Sequence, residues 1–305
     1  MKFIKQSLAL LSALLLLTAC ASQSETPKED AEASKKKIGI LLVNHGSHSP
    51  KWREMLVDVE TAVKERILSN EKITAIKTAH MEYTEPSIAT RLKEFDEEQF
   101  DEIVVVPIFL TVSSHYSHDI PVICGISSDP AILESLEKEG IETYRPKAKV
   151  TITPPLDFTN ILKKNVERRA LALSKDAENE AILLVAYGDQ QYNQQWEELV
   201  EDLGQYLKIK TGHESIAYAW CGHLVHYSTE PTKEGIAKLQ ELEENVIVIP
   251  VLVANDPYFQ KDIIQKAVDE SSNNEHIYYV QDAILPDDNL NQWVIDIANE
   301  TVNKL

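Results

Sequence analysis

The chain has 305 residues, and its 49 acidic side chains against 30 basic ones give a net charge of −19 at neutral pH. A surface this acidic repels nucleic-acid phosphates and anionic lipid head groups, so we exclude a nucleic-acid partner. The length is sufficient for two domains of medium size.

The first twenty residues have the features of an export signal. Lys2 and Lys5 precede an apolar run that is too short to span a bilayer comfortably. The run ends in Leu17-Thr18-Ala19-Cys20, which resembles the lipobox of bacterial lipoproteins. We therefore predict a signal peptide over residues 1–20 and an exported protein, in the periplasm or at the cell surface, that is anchored to the membrane through a lipidated Cys20. An ordinary secretory signal with an incidental cysteine is the alternative.

Residues 21–36 are polar and charged and include no aromatic side chain. Such a segment buries too little apolar surface to offset the entropy lost on ordering, so we predict a flexible linker. After the linker only Cys124 and Cys221 remain as cysteines. The sequence leaves open whether they pair, and two buried free thiols are favoured over a disulfide.

The rest of the chain contains the same pattern twice. Nearly continuous apolar runs begin at Ile38 and Ala181, as expected for parallel strands covered on both faces, and an amphipathic helix follows each run. Further strand–helix pairs follow in the same order in both halves. This alternation predicts an α/β fold with two similar doubly wound parallel-sheet domains, residues 37–176 and 177–305, and ligands bound beyond the carboxyl ends of the strands.

Three residues with metal-binding side chains lie at or just past predicted strand ends in the first half. His45 ends the first strand, Glu82 lies near the end of the second, and His115 follows the third. Two imidazoles and a carboxylate suit a divalent ion such as Co²⁺, Fe²⁺, Ni²⁺ or Zn²⁺, and they also accept protons near neutral pH. The alternative is that each histidine is a hydrogen-bonded structural residue, and spacing alone does not decide between the two.

The second half has the same frame without these ligands. When the halves are aligned, His45, Glu82 and His115 correspond to Tyr187, Tyr227 and Tyr258. Phenols are poor ligands for these ions at neutral pH, but they stack on a large flat ligand or hydrogen-bond to it. We interpret the first half as the side that binds the metal and the second half as a wall that faces it. The alternative is that the second half has lost its ligands and serves only as a scaffold.

The motifs around the three candidate ligands resemble those of a known family. They are His45-Gly-Ser47, E-x-x-EPS from Glu82 to Ser87, and FL-x4-H-x3-DIP from Phe109 to Pro121. This set resembles the class II chelatases, which include sirohydrochlorin cobaltochelatases and ferrochelatases of the CbiX and CbiK type. The resemblance covers the whole first half, and the second half fits the duplicated architecture of the family.

The resemblance implies a cleft between the two halves and the insertion of a divalent metal into a sirohydrochlorin-type tetrapyrrole, a reaction of cobalamin biosynthesis. The metal is then a substrate, and Co²⁺ is the expected ion, with Fe²⁺ or Ni²⁺ as alternatives. No organic cofactor is expected. It also implies that His45, His115 and Glu82 are the metal ligands and catalytic residues, with the histidines accepting pyrrole protons. We add Ser47, Tyr187 and Tyr258 as predicted contacts of the macrocycle.

Two departures and the predicted export leave a second function open. His48 stands where the family often has arginine, and Ser113 and Ser114 stand where it often has glycine. In the family, tetrapyrrole synthesis of this kind belongs in the cytoplasm, whereas an export signal is predicted for this chain. The alternative is an exported lipoprotein that binds haem or another tetrapyrrole, or carries a divalent metal, without chelatase turnover. The sequence leaves the oligomeric state open.

Other polar residues are weaker candidates. His80 and His118 lie near the three candidate ligands in sequence, and each is a secondary candidate for metal binding. Asp119 is expected to cap a helix. His213 and His276 precede strands and are expected at the surface.

Overall fold

Two four-stranded parallel sheets form the frame of the molecule, as the α/β prediction requires. The first sheet has the order β2-β1-β3-β4, from β1 (Ile38–Asn44), β2 (Ile73–His80), β3 (Glu102–Pro107) and β4 (Lys149–Ile152). The second has the order β6-β5-β7-β8, from β5 (Glu180–Ala186), β6 (Ile216–Trp220), β7 (Asn245–Val251) and β8 (Ile277–Tyr279). The shared strand order and the parallel pairing confirm the predicted fold class.

The structure is a computed structural model, and it describes residues 36–156 and 160–305. The predicted signal peptide with Cys20, and the predicted linker up to residue 35, lie outside the described residues. Among the residues that are described, no helix is both long enough and apolar enough to cross a membrane.

Helices connect the strands in both halves. The first half has α1 (Pro50–Leu68), α2 (Ile88–Glu97), α3 (Ile120–Ile123), α4 (Pro130–Glu139) and α5 (Asn160–Leu173). The second half has α6 (Asn193–Thr211), α7 (Glu230–Gln240), α8 (Lys266–Glu270) and α9 (Asp288–Asn303). Two π-helical turns, His115–Asp119 and Tyr258–Gln265, run directly into α3 and α8.

Helix α1 shows how the local sequence sets these elements. The Ser49 hydroxyl accepts a hydrogen bond from the Trp52 amide, and Pro50 occupies the first turn, where its missing N–H costs nothing. The helix then buries Leu56, Val59, Val63 and Ile67 on one face. Burial of each such side chain stabilises the fold by about 1.5–3 kcal/mol, so this face fixes the helix against the sheet.

The two sheets share one hydrophobic core. Apolar side chains of β1 and β5 belong to a single buried cluster with those of α1, α5, α6 and α9. The last helix of each half packs on the other half, because α5 contacts β7 and α9 contacts β3. Residues 36–305 therefore form one compact unit. The division into domains of residues 37–176 and 177–305 stays a prediction.

The prediction that His213 lies at the surface is wrong. Its side chain is fully buried beside Thr211 and Glu180. The physical reason is that α6 ends at Gly212 in a left-handed turn, which directs the next residue inward. His276 is partly exposed, as expected. Cys124 and Cys221 are buried free thiols, and burial raises the pKa of each to about 12.

Candidate metal centre

The structure brings the three predicted metal ligands together at the carboxyl ends of the first sheet. Ligand atoms of His45, Glu82 and His115 all lie within 4.8 Å of one another. The two imidazole rings meet edge to face with centroids 4.8 Å apart, and His115 Nδ1 lies 4.0 Å from Glu82 Oε1. Nitrogen and oxygen ligands stand about 2.0–2.2 Å from a divalent ion, so atoms around one ion are separated by up to about 4 Å. Small side-chain movements are enough for the three residues to hold a single ion.

Gly46 explains why the first strand ends in a histidine and a glycine. Its φ of +93° lies in the left-handed region, and a Cβ at this position would stand 2.3 Å from the Glu82 carbonyl oxygen. The Glu82 amide also donates a hydrogen bond to the His45 carbonyl, at 3.0 Å. The glycine therefore lets the segment after β2 lie against the end of β1, which places Glu82 beside His45.

Both histidines are held in the same tautomer by groups that only accept hydrogen bonds. His45 Nδ1 donates to the Gly46 carbonyl at 3.1 Å, and His115 Nδ1 donates to Asp119 Oδ2 at 2.7 Å. Each Nε2 therefore keeps a free lone pair for a cation or a proton. Asp119 was expected to cap a helix, and that prediction is wrong because its carboxylate holds His115 instead. The spacing of four residues on a helical turn was the signal that could have identified this pair.

The two imidazoles differ in basicity. Burial lowers the pKa of His45, and the neighbouring His115 lowers it further. Burial also opposes protonation of His115, but the hydrogen bond to Asp119 and the charges of Glu82 and Asp119 outweigh it and raise the pKa of His115 above its usual value. The pKa values of the two imidazoles are thus shifted in opposite directions, and His115 is the more basic of the pair.

The two secondary candidates do not join the cluster. His80 is buried, and its Nδ1 donates to Asn44 Oδ1 at 2.8 Å. The same oxygen accepts from the Gly46 amide at 3.1 Å, so His80 and Asn44 support the turn under His45. His118 faces the second half, where its Nε2 lies 3.1 Å from the Tyr192 hydroxyl.

A cavity of about 390 Å³ between the two halves adjoins the cluster. Its walls include His45 and His115 as well as Ser47, Tyr187 and Tyr258, which were the predicted macrocycle contacts. The Ser47 hydroxyl is already engaged, because it donates to Asp256 Oδ2 at 2.5 Å and accepts from the Ser49 amide. A second, open cavity of about 860 Å³ shares both histidines and includes Glu82.

The tyrosines of the second half gather on the facing wall. The hydroxyl groups of Tyr187 and Tyr227 are 3.5 Å apart, and the rings of Tyr227 and Tyr258 lie 6.1 Å apart. Phe259 packs against all three rings at 5.4 to 6.2 Å. The residues that correspond to the candidate metal ligands thus form an aromatic wall on the second half, and Phe259 is a member of that wall that was not predicted.

Two serine–aspartate pairs tie the halves together across the cleft. Ser47 of the first half donates to Asp256 of the second, and Ser114 donates to Asp189 through both its amide and its hydroxyl, at 3.2 Å. Asp189 and Asp256 were also missed, because each acts on a residue more than seventy positions away.

The chain thus has two linked parallel sheets, with two histidines and a glutamate at the strand ends beside a cleft. Residues 39–173 match the CbiX family. A sirohydrochlorin cobaltochelatase of Saccharolobus solfataricus is 26% identical over 121 residues, which cover 40% of this chain and 84% of the relative. A second, of Methanocaldococcus jannaschii, is 37% identical over 90 residues, which cover 30% of this chain and 60% of the relative.

Solved structures extend the likeness to both halves. SirB from Bacillus subtilis with Fe³⁺ has a TM-score of 0.64 at 17% identity, with 87% of this chain and 96% of SirB covered. SirB from the subspecies spizizenii in complex with cobalt has a TM-score of 0.59 at 16% identity, with 88% and 96% covered. At this identity the likeness shows a shared fold. Residues 39–173 thus resemble the CbiX family, and the chain as a whole has the fold of the SirB structures.

Proposed function

We propose that the protein inserts a divalent metal into a sirohydrochlorin-type tetrapyrrole. The observation that carries the proposal is the meeting of His45, Glu82 and His115 at the wall of a cavity whose opposite wall is aromatic. The names of the relatives, sirohydrochlorin cobaltochelatases, support this substrate class.

The proposed chemistry follows from the free lone pairs of the two histidines. His45 and Glu82 replace part of the water shell of the ion, and the negative charge of the carboxylate offsets the charge of the ion. Insertion removes a proton from each of two pyrrole N–H groups, and the Nε2 atoms of His115 and His45 accept them as the ion leaves for the macrocycle nitrogens. Asp119 stabilises the imidazolium formed on His115 through the bond at Nδ1.

We propose Co²⁺ as the preferred ion, with Fe²⁺ and Ni²⁺ as alternatives. Two imidazoles and one carboxylate accept all three ions, so preference depends on geometry and supply. Initial rates with each ion at equal free concentration test the order.

The experiment that tests the function mixes the metal-free protein with sirohydrochlorin and Co²⁺ under anaerobic conditions. Metallation that continues over many turnovers supports the chelatase. The His45→Ala and His115→Ala variants are expected to lose this activity, and His276→Ala, at the surface of the second half, serves as the matched control. A stable spectral shift with haem and no turnover supports the exported binding protein instead, and metal binding with neither supports the metal carrier.

We also propose that the protein is exported and anchored to the membrane through Cys20. The basic residues, the apolar run and the Leu-Thr-Ala-Cys ending support this proposal. Because the acyl chains would attach to its thiol, a Cys20→Ala variant is expected to lose lipid labelling and to move from the membrane fraction to the soluble fraction.

A further inference from the structure

Strand β6 is an edge of the second sheet, with β5 on one side of it and no described strand on the other. The Ile182 amide donates to the Ser215 carbonyl, and the Cys221 amide donates to the Ala186 carbonyl. In a parallel ladder these bonds fix which residues of β6 pair with β5, and the residues between them direct their amide and carbonyl groups away from it. The outward groups of β6 belong to Ile216, Tyr218 and Trp220.

The corresponding edge of the first sheet, β2, is covered. The Arg91 side chain donates to the outward carbonyl of Thr78 at 2.9 Å, and the outward amide of His80 donates to the Pro86 carbonyl at 2.9 Å. On β6, no described residue hydrogen-bonds to the outward groups at the two matching positions. An uncovered edge is a template for a further strand, so β6 offers one where β2 does not.

A groove of about 1010 Å³ runs along this free edge, between α6 and α7. Its lining includes all five residues of β6, and the ring centroids of Tyr218 and Trp220 lie 5.1 Å apart. The groove therefore combines free backbone donors and acceptors with aromatic surface, and an extended peptide that adds to a sheet uses both.

The rim of the groove is acidic, with five carboxylates and two ammonium groups among the described lining residues. Asp202 is neutralised by Lys163 at 2.7 Å, and Glu214 is neutralised by Lys208 at 2.7 Å. The other lining cation is Lys238. The three carboxylates left without an ion pair in the described part of the chain are exposed, and they are Glu198, Glu201 and Glu234.

The negative charge of α6 reaches the strand itself. Burial raises the pKa of the Tyr218 phenol, and the charges of Glu197 and Glu201 raise it further. Tyr218 is the middle residue of β6, so a cation on an added strand meets this charge at the centre of the edge and gains a partner there.

We propose that the free edge of β6 binds an extended segment of another protein, rich in lysine or arginine, as an added strand. The backbone of the segment pairs with the outward groups of β6, and its cations pair with the three unpaired carboxylates of the rim. Charge selects the partner, because an acidic segment forms the same backbone hydrogen bonds but is repelled by the rim. Among the described residues, the groove shares no lining residue with the two cavities at the candidate metal centre, so the inference goes beyond the proposed function and does not depend on it.

The first test titrates the full chain into a fluorescently labelled peptide of about seven residues, the length of a short strand, in which lysine alternates with valine. Fluorescence anisotropy measures the binding. Only alternate amides of an added strand point to its neighbour, so methylation of one alternate set of peptide nitrogens is expected to weaken binding at least about tenfold. Methylation of the other set should change it by less than about twofold. A peptide with glutamate in place of lysine should bind at least about tenfold more weakly than the parent peptide.

Three results would overturn the proposal. They are no measurable binding of the lysine–valine peptide, equal binding of the two methylated peptides, and binding of the glutamate peptide as tight as that of the lysine peptide. Because the protein is unchanged in these titrations, none of the three results can come from a misfolded variant.

The second test locates the site on the protein. Glu201→Gln is expected to weaken binding of the lysine–valine peptide by about two- to fivefold, the effect of one exposed ion pair, and added salt should remove this difference. The matched control is Glu300→Gln on α9, which removes the same charge from an exposed position outside the groove and should leave binding unchanged. The same loss in both variants would show that the peptide responds only to net charge, and no loss in either would show that the rim is not involved, so both results would overturn the proposed site.

Discussion

Asp119 orients His115 in the proposed metal site. Its carboxylate holds the ring through Nδ1, and in the proposed function this makes Nε2 a better ligand. Asp119→Asn keeps the shape but removes the charge, so we expect Co²⁺ affinity to fall by about 10- to 100-fold. Isothermal titration of the metal-free protein with Co²⁺ measures this change.

The second half supplies the control for Asp119. Asp262 occupies the corresponding place in the π-helical turn Tyr258–Gln265 but is exposed and lies next to no histidine. Asp262→Asn should leave Co²⁺ affinity unchanged. Equal losses in the two variants would show that Asp119 acts through general charge and not through His115.

Gly46 is the second residue on which the site depends. Gly46→Ala puts a methyl group into the Glu82 backbone and strains a positive φ, which together should destabilise the fold by about 1–3 kcal/mol or more and weaken Co²⁺ binding. Gly140 also has a positive φ, of +73°, but nothing lies within 4 Å of its would-be Cβ. Gly140→Ala is therefore the control for strain alone, and urea unfolding with Co²⁺ titration compares the two. Normal Co²⁺ binding by Gly46→Ala would contradict the role given to this turn.

At the scale of elements, the contact between His213, which follows α6, and Glu180 of β5 should make the stability of the fold depend on pH. Burial lowers the pKa of His213 below its usual 6.5, although the neighbouring Glu180 opposes this shift. The folded protein therefore keeps His213 neutral at a pH where the unfolded chain takes up a proton. The resulting stability is present above about pH 6.5 and is lost as the pH falls towards the folded pKa.

The measurement is the free energy of unfolding in urea at pH 7.5 and at pH 5.5. Removing His213 by His213→Gln should reduce the acid slope by up to about 1.4 kcal/mol per pH unit, whatever it does to the stability at neutral pH. His276→Gln, at a partly exposed histidine, is the control and should leave the slope unchanged. A slope that is the same in wild type and His213→Gln would contradict this assignment.

The elements themselves were largely predictable. The continuous apolar runs of β1 and β5 bury every residue, as the pattern of a doubly covered strand requires. His45, Glu82 and His115 were predictable because parallel strands end at one edge, and that edge is fixed by topology. The burial of His213 and the contact of Asp119 with His115 were not predictable, since the direction of a side chain at a helix end depends on local turn geometry. Asp189 and Asp256 depend on how the two halves meet, which no local pattern encodes.

At the scale of the whole molecule, the exchange of α5 and α9 makes the halves depend on each other. Asn165 of α5 donates to the Ile284 carbonyl and to Asp287, and Asn70 after α1 donates to Asn299 of α9. The proposed metal ligands come from the first half and the aromatic wall from the second. The geometry of the cleft is therefore only as stable as this shared packing.

Arg169 offers the sharpest test of that coupling. Its buried guanidinium, on α5, donates to Asp282 at 2.9 Å and to the Pro250 carbonyl of β7 at 2.7 Å. Arg169→Ala removes both hydrogen bonds and opens a gap in the packing, so we expect a loss of about 2–4 kcal/mol. The neighbouring Arg168→Ala is the control, because Arg168 is 60% exposed and its ion pair with Asp287 is long, at 3.5 Å, which limits its effect to about 1 kcal/mol.

Hydrogen exchange read by mass spectrometry resolves β1 from β5 and so reports on each sheet separately. If the halves unfold as one unit, Arg169→Ala lowers the protection of both strands by the same free energy, although both hydrogen bonds of the side chain go to the second half. Co²⁺ binding at the first sheet should then be lost at the same urea concentration as the protection of β5. Protection lost in β5 while β1 and Co²⁺ binding persist would show that the two halves unfold separately.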